Sequence, residues 1–299
     1  MKHNGFTLLE LIIALALGVF LMISMLQLYL QQRAHDQKEQ ALFSLQDNAR
    51  VTFIRLSHDV RMSGLIGCPH LSNVTLKSPF NTSVIAWHQG RSTSAVPMPN
   101  LTNLRPDSDV LQIQFVDAHA SQVQKAQNNS ILLADKTHFD PSAWLMLSDC
   151  THAEAVQLQH VHLRYRYKND AQLAVIHTFV YYIANTGRTN QTKQPIYALY
   201  LRDLNAAKSK PIEFIEGAET MAITLGIPHN GQLDYVNADQ VKSWDQVRSL
   251  QIYLLLNSVQ SFSARPIPYT FLGKHYTPHD RLLRQIYSSV IALRQRDDL

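Results

Sequence analysis

Glycine and cysteine are scarce in this chain, ten and two of 299 residues. Two cysteines so far apart, Cys68 and Cys150, exclude a disulfide-knit mini-domain and any Cys-x-x-Cys metal or redox motif. No Gly-x-Ser-x-Gly elbow, Walker loop or His-Glu-x-x-His helix occurs, which removes the usual sequence handles for hydrolase, nucleotide and metalloprotease chemistry. There is no internal repeat and no glycine-rich linker. Charge is thin too: 17% of residues, with a net of +4, short of the basic clustering of a dedicated nucleic-acid binder. These absences describe a non-enzymatic chain with no cofactor and no resident metal.

Against that background, one charge-free stretch stands out. Residues 11–30 are apolar or uncharged without a break. At about 1.5 Å of rise each, twenty such residues match a bilayer core of about 30 Å. A helix there pairs all its own backbone groups, which an isolated strand cannot do. Glu10 sits at the edge of the run, where a carboxylate costs about 2.5–3.5 kcal/mol on insertion scales if it is drawn inward. Snorkelling to the headgroups is the plainer role for such an acid, and a functional contact is the other.

The helix continues upward. Neither glycine nor proline interrupts residues 31–63, and Leu42, Leu45, Ala49, Phe53, Leu56 and Val60 recur at spacings of three and four. Lys38, Glu39, Asp47, Arg50 and Arg61 occupy other faces, and Gly64, Gly67 and Pro69 supply the stop. The expectation is one helix over residues 6–63, about 85–90 Å long, its lower half in lipid and its upper half the spine of a head.

The residues before this helix resemble a known signal. Residues 1–5 carry Lys2 and end in Gly5, followed by Phe6 and, four residues on, Glu10. The string Gly5-Phe6-Thr7-Leu8-Leu9-Glu10-Leu11 resembles a type IV prepilin leader. The resemblance implies cleavage after Gly5 by a prepilin peptidase and methylation of the new amine on Phe6. It implies that Leu8, Leu9 and Leu11 pack against neighbouring subunits and that Glu10 meets a neighbour's N-terminal ammonium. Further blocks narrow the family: Gln46-Asp47-Asn48-Ala49-Arg50, residues 56–64, 197–202, 215–221, 244–248 and 281–294 resemble PilW-type minor pilins. Gln295 departs from the asparagine usual in that family.

The implied fold class is α+β, a long N-terminal helix with a β-rich pilin-like head on its upper half. The implied division is a leader at 1–5, an assembly helix at 6–30, its soluble half at 31–67 and a periplasmic head at 68–299. The implied role is a minor pilin that starts the pilus and sits at its tip. Its partners would be prepilin peptidase, other minor pilins, the major pilin and inner-membrane lipid. A J-type minor pseudopilin of type II secretion, or a tip module binding DNA or a surface, is the alternative. Lys2 in the leader places the C-terminal bulk outside the cytoplasm. In that oxidising compartment a Cys68–Cys150 disulfide is the expectation, contributing about 4–5 kcal/mol in the chain-entropy model, with two separate thiols the alternative.

Within the head, alternation marks strands at 109–116 and 156–167, short strands are read at 130–134 and 143–147 and a strand at 221–226, the β pattern continues at 175–183 and 196–201, 247–256 is a strongly apolar strand and 287–293 the last one. Residues 71–104 read as a long loop with short strands, 211–217 as a connection and 238–244 as a short helix. Asn185-Thr-Gly-Arg and Asn230-Gly231 read as turns, and 294–299 as a charged tail.

Candidate chemistry is sparse. His160 and His162 would share a strand face and His275 and His279 flank a Thr-Pro turn, but neither pair has a third ligand at metal spacing. Asp107 and Asp109 have calcium-type oxygens, though acids before a strand more often close a turn. His58 and Asp59 are helix neighbours that should not face each other. Tyr165, Tyr167, Tyr181 and Tyr182, interleaved with Arg164 and Arg166, would suit stacking on single-stranded DNA if exposed; one face solvated and one buried is the ordinary alternative.

Overall fold

The chain enters the structure, a computed structural model that describes residues 8–64, 75–77, 84–87, 100–127, 129–149, 151–168, 170–206, 209–261 and 265–293, as a single long helix. Helix α1 is Leu8–Met62. Its upper half buries Leu45, Ala49, Leu56 and Val60, with Leu42 and Phe53 packed beside them, the stripe that the spacing predicts. Thr52 and Asp59 are buried on the same side. The helix stops where glycine allows it. Gly64 adopts φ 79°, a left-handed conformation that side chains disfavour, and its N–H donates to the Gln114 carbonyl at 2.9 Å.

Ten strands form the first sheet: β1 (Thr75–Lys77), β2 (Val84–Trp87), β3 (Val110–Val116), β4 (Ser121–Gln127), β5 (Ser130–Leu133), β6 (Leu145–Ser148), β7 (His152–Val156), β8 (Gln172–Thr189), β9 (Pro195–Asp203) and β10 (Ile212–Glu216). The long β8 organises them. Its start pairs with β4 and β6, its middle with β3, and its later part with β9. Apart from the parallel β1–β7 pair, the ladders are antiparallel.

The chain then adds β11 (Ala218–His229), β12 (Gln232–Val236), β13 (Ser249–Ser261), the small hairpin β14 (Tyr269–Phe271) with β15 (Lys274–Tyr276), and β16 (Leu282–Ala292). A second antiparallel sheet runs β12-β11-β13-β16. Helix α1 packs across β16, β13, β3 and β10, so both sheets share its buried stripe. One core joins Leu56 and Val60 to Tyr181, Ile183, Leu199, Met221, Leu254 and Ile291. The sheets are also stitched by polar bonds. Asp109 N–H donates to Met221 O at 2.8 Å, and Asp109 Oδ2 accepts from Ile223 N–H at 2.7 Å.

Several expectations change. The strand expected over 156–167 is not one: β7 ends at Val156, a 3-10 turn covers Leu158–His160, and no ladder follows before β8. Leu163 and Tyr167 are buried in alternation, but the amides of Arg164 and Lys168 donate to the carboxylates of Glu154 and Asp149 instead of to a strand. Period two therefore reported burial without pairing. Asn185-Thr-Gly-Arg lies inside β8 at a register shift, and the reversal occurs at 190–194, where Asn190 Oδ1 accepts from Thr192 N–H and Gln194 N–H. Residues 211–217 hold β10, whose bulge between Glu213 and Ile215 breaks the alternation. Strand β4 forms without an apolar pattern to announce it, since Ser-Gln-Val-Gln-Lys-Ala-Gln has almost no apolar side chains. In place of a helix at 238–244 there are 3-10 turns at Ala238–Gln240 and Trp244–Gln246. Asn230 and Gly231, at φ 50° and 78°, do form the turn between β11 and β12.

Candidate functional site

Two stretches of α1 carry the functional argument. The lower one is apolar on every face. Leu8, Leu9 and Leu11 are 77%, 66% and 56% exposed, and the exposure continues through Leu30. Among the described residues α1 is the one helix long and apolar enough to cross a membrane, and none of its apolar window is buried by the rest of the chain. So much greasy surface demands lipid or protein around it. Its one mid-span hydroxyl is satisfied within the helix: Ser24 Oγ donates to Phe20 O at 2.9 Å. Polar side-chain pairs begin just above the run, with Gln32 Nε2 donating to Asp36 Oδ1 at 2.9 Å and His35 lying 3.0 Å from Glu39. They mark where the helix meets water. Glu10 stands in the first described turn, where the positive end of the helix dipole stabilises a carboxylate.

The upper stretch joins the helix to the head through Asp59, whose side chain is 1% exposed. Arg55 Nε donates to its Oδ2 at 2.8 Å, the Tyr181 hydroxyl donates to the same oxygen, and His58 Nδ1 lies 2.9 Å from its Oδ1. Tyr181 is fully buried on β8, and burial, then the Asp59 charge, pushes its phenol well above the ordinary value. The guanidinium of Arg55 also lies over the Phe179 ring at 5.4 Å. An acid on an apolar stripe would be costly alone. Arg55 and His58 belong to the same helix and compensate the charge locally, while Tyr181 on β8 fixes the rotation of the helix against the sheet, because turning α1 by one residue would take the carboxylate away from that hydroxyl. The signal was present in the sequence as an acid interrupting the stripe next to Val60, and helix-neighbour geometry concealed it, since His58 and Asp59 do touch.

Two further polar clusters hold the head. Arg284 on β16 makes two-pronged contacts with Glu219 (Nη2 to Oε1 2.7 Å) and Asp280 (Nη2 to Oδ2 2.6 Å), while Asn257 Nδ2 donates to Glu219 Oε1 at 2.8 Å. His177 Nδ1 lies 2.8 Å from Asp203 Oδ2, and its Nε2 lies 3.6 Å from Asp117 Oδ2. The Asp203 hydrogen bond holds the His177 imidazole above its ordinary pKa against the opposing effect of burial.

Of the residues singled out from sequence, Leu8, Leu9, Glu10 and Leu11 share the lower helix. Gly5, Phe6, Cys68 and Cys150, with the tail 294–299, lie outside the described residues. The tyrosine platform for nucleic acid is corrected: Tyr167, Tyr181 and Tyr182 are buried, and Tyr165 stacks on His152 at 4.4 Å, so no open row of rings exists. His160 falls in a 3-10 turn and does not share a strand face with His162. Asp107 is exposed while Asp109 is committed to β11, so the two do not converge. Among the described residues no three His, Cys, Asp or Glu side chains gather as metal ligands.

Comparison with known families gives two matches. The family described as Type IV Pilus-assembly protein W matches residues 180–295, and the Prokaryotic N-terminal methylation motif matches residues 1–26. No curated protein and no solved structure matches the chain. The first match holds β9 to β16, and three of the four strands that pack on α1 lie in it.

Proposed function

We propose that this chain, a type IV pilus-associated protein of the PilW family with a prepilin methylation signal, is a minor pilin that helps begin the pilus and occupies its tip. The observation that carries the reading is the contrast along one helix: a lower half uncharged above Glu10 and bare on every side, running without a break into an upper half clasped by a large head. A head built from two sheets, with a tail-end sheet beside the helix, suits an end position where side-by-side packing is not repeated. The domain limits follow this division, with 1–5 as leader, 6–30 as the assembly helix, 31–67 as its soluble half and 68–299 as the head in the periplasm. Prepilin peptidase cuts after Gly5 and Phe6 is methylated. The work is structural, as is general for pilin-family domains, and the secretion pseudopilin is the second reading because it shares the same leader.

In this reading Leu8, Leu9 and Leu11 pack against the helices of neighbouring pilins, and Glu10 sets the axial register by meeting an N-terminal ammonium of the next subunit. In an apolar setting that pairing discriminates strongly, because a shift by one turn leaves both charges uncompensated. The Cys68–Cys150 disulfide belongs to the proposal as a staple of the head and is read from migration on non-reducing gels. The test is Glu10→Ala in cells. The variant should be cut to mature size and enter the membrane, yet surface pili should fall about tenfold or more, the scale of one lost interface contact. Normal piliation would remove the register role, and a mature chain still beginning at Met1 would remove the pilin reading.

A further inference from the structure

The second sheet ends on β16, and the outer side of that strand is an unguarded edge. Among the described residues β16 pairs only with β13, in unbroken register from Ser249↔Ala292 to Asn257↔Arg284. A strand edge is a row of unpaired N–H and C=O groups, and proteins normally blunt it with charge, proline, a bulge or shortness. The other edges here are blunted. β10 has five residues, a bulge, Glu213 and Glu216; β12 has five residues with Asp234 paired to His229 at 2.8 Å; β1, β2 and β5 have three, four and four residues, and β14 and β15 three each. β16 has eleven residues without proline, lysine or bulge through that stretch, and its one charged side chain, Arg284, is folded inward onto Glu219 and Asp280. Alternate residues on its outer face are apolar and open, Ile286 at 39% and Val290 at 55% exposure, with Ser288 between them.

We infer that β16 is a strand-addition site that accepts an extended, uncharged segment of another pilus subunit, with β-branched or aromatic side chains at alternate positions beside Ile286 and Val290. The inference rests on the proposed pilin role and names a contact within it. Strand addition gives affinity through the main chain and selectivity through alternate side chains. The absence of charge on the rim excludes a charged donor, because an acid or base there would be desolvated without a partner. Continuity favours a pilus subunit as the donor. The opposite face of β16 packs on the upper half of α1, the direct continuation of the segment that packs among pilins in the proposed role, so a chain docked on this edge lies at the level of the heads, where neighbouring subunits on the same bundle of helices meet.

The experiment uses the full chain in piliated cells, with a photoreactive phenylalanine analogue replacing Ser288 and, as control, Leu233 on β12. The expected product is an adduct from position 288 to another prepilin-type chain, the crosslinked residue lying in an uncharged extended stretch. Val290→Lys should lower that adduct and the pilus count about tenfold, as one lost contact of an interface core does, while Leu233→Lys changes neither. Protease resistance of the head in Val290→Lys membranes should match the unaltered chain; a second variant, Ile286→Thr, serves if it does not. An adduct only to a second copy of this chain, only to phospholipid, or none at all overturns the inference. Unaltered piliation in Val290→Lys alongside its loss in Glu10→Ala would sink the edge and leave the pilin role standing; unaltered piliation in both sinks the edge and the register role of Glu10, and the pilin reading itself falls only to a mature chain that still begins at Met1.

Discussion

The two halves of α1 have the same backbone and opposite requirements. Below Leu30 apolar residues surround the helix, and the head leaves them bare. Above it, a stripe through Leu45, Ala49, Leu56 and Val60 is buried while Phe43 and Ile54 on the far side remain 71% and 64% exposed. The difference teaches that secondary structure is indifferent to the medium, whereas side-chain distribution around the helix declares it. A helix apolar all round belongs in lipid or among other helices. A helix with one stripe belongs on a core. The two regimes are separated by the polar, exposed stretch 31–40, which leaves this helix bare and apolar at one end and a spine for the head at the other.

That contrast is broken most forcefully by Leu56→Ala. Leu56 is wholly buried, so its truncation should cost the head about 2–5 kcal/mol, seen as earlier unfolding by heat or denaturant in membranes or detergent. The same change at Leu15, 61% exposed in the lower half, should leave head unfolding unaltered and act, if anywhere, on assembly. Equal effects at the two sites would dissolve the distinction. A smaller loss is expected from Tyr181→Phe. It removes the hydroxyl donated to Asp59, a bond to a charged group, at about 1.5–3 kcal/mol, and should leave processing and membrane insertion untouched.

The smallest effect is a pH dependence confined to the head. His177 is held above its ordinary pKa by Asp203, so its contribution is complete below about pH 6.5. It is lost as pH rises through the raised folded value, the sign expected for a base that gains a partner. Unfolding midpoints should therefore decline slightly from mildly acidic to mildly alkaline pH, and His177→Gln should flatten that part of the profile. A slope of the opposite sign would mean that the imidazole is neutral in the fold.

Much of the head was legible where pattern and pairing coincide. The strands over β3, β8, β9, β11, β13 and β16 show as apolar or alternating runs that are laddered as well as buried, β3 on both of its faces, and Asn230-Gly231 turns because both residues take positive φ. Legibility failed where burial and pairing part company. Residues 161–167 alternate without a ladder, since buried carboxylates take their amides, and β4 has a ladder without apolar alternation. The joint at Asp59 was hidden for a related reason. Its meaning depends on Tyr181, 122 residues away, and no local spacing records that proximity.

By itself, then, the amino-acid order determined the long helix, its apolar lower half, its buried stripe, its stop at Gly64 and the prepilin-like entry, since each is written in the pattern of neighbours within a turn or two. Only tertiary structure decided which strands border which, where Asp59 and Arg284 find their partners, and that β16 ends its sheet among the described residues. The reason is range. Periodicity and capping are local, whereas register, ion pairing and edge position arise only when segments a hundred residues apart close around one core.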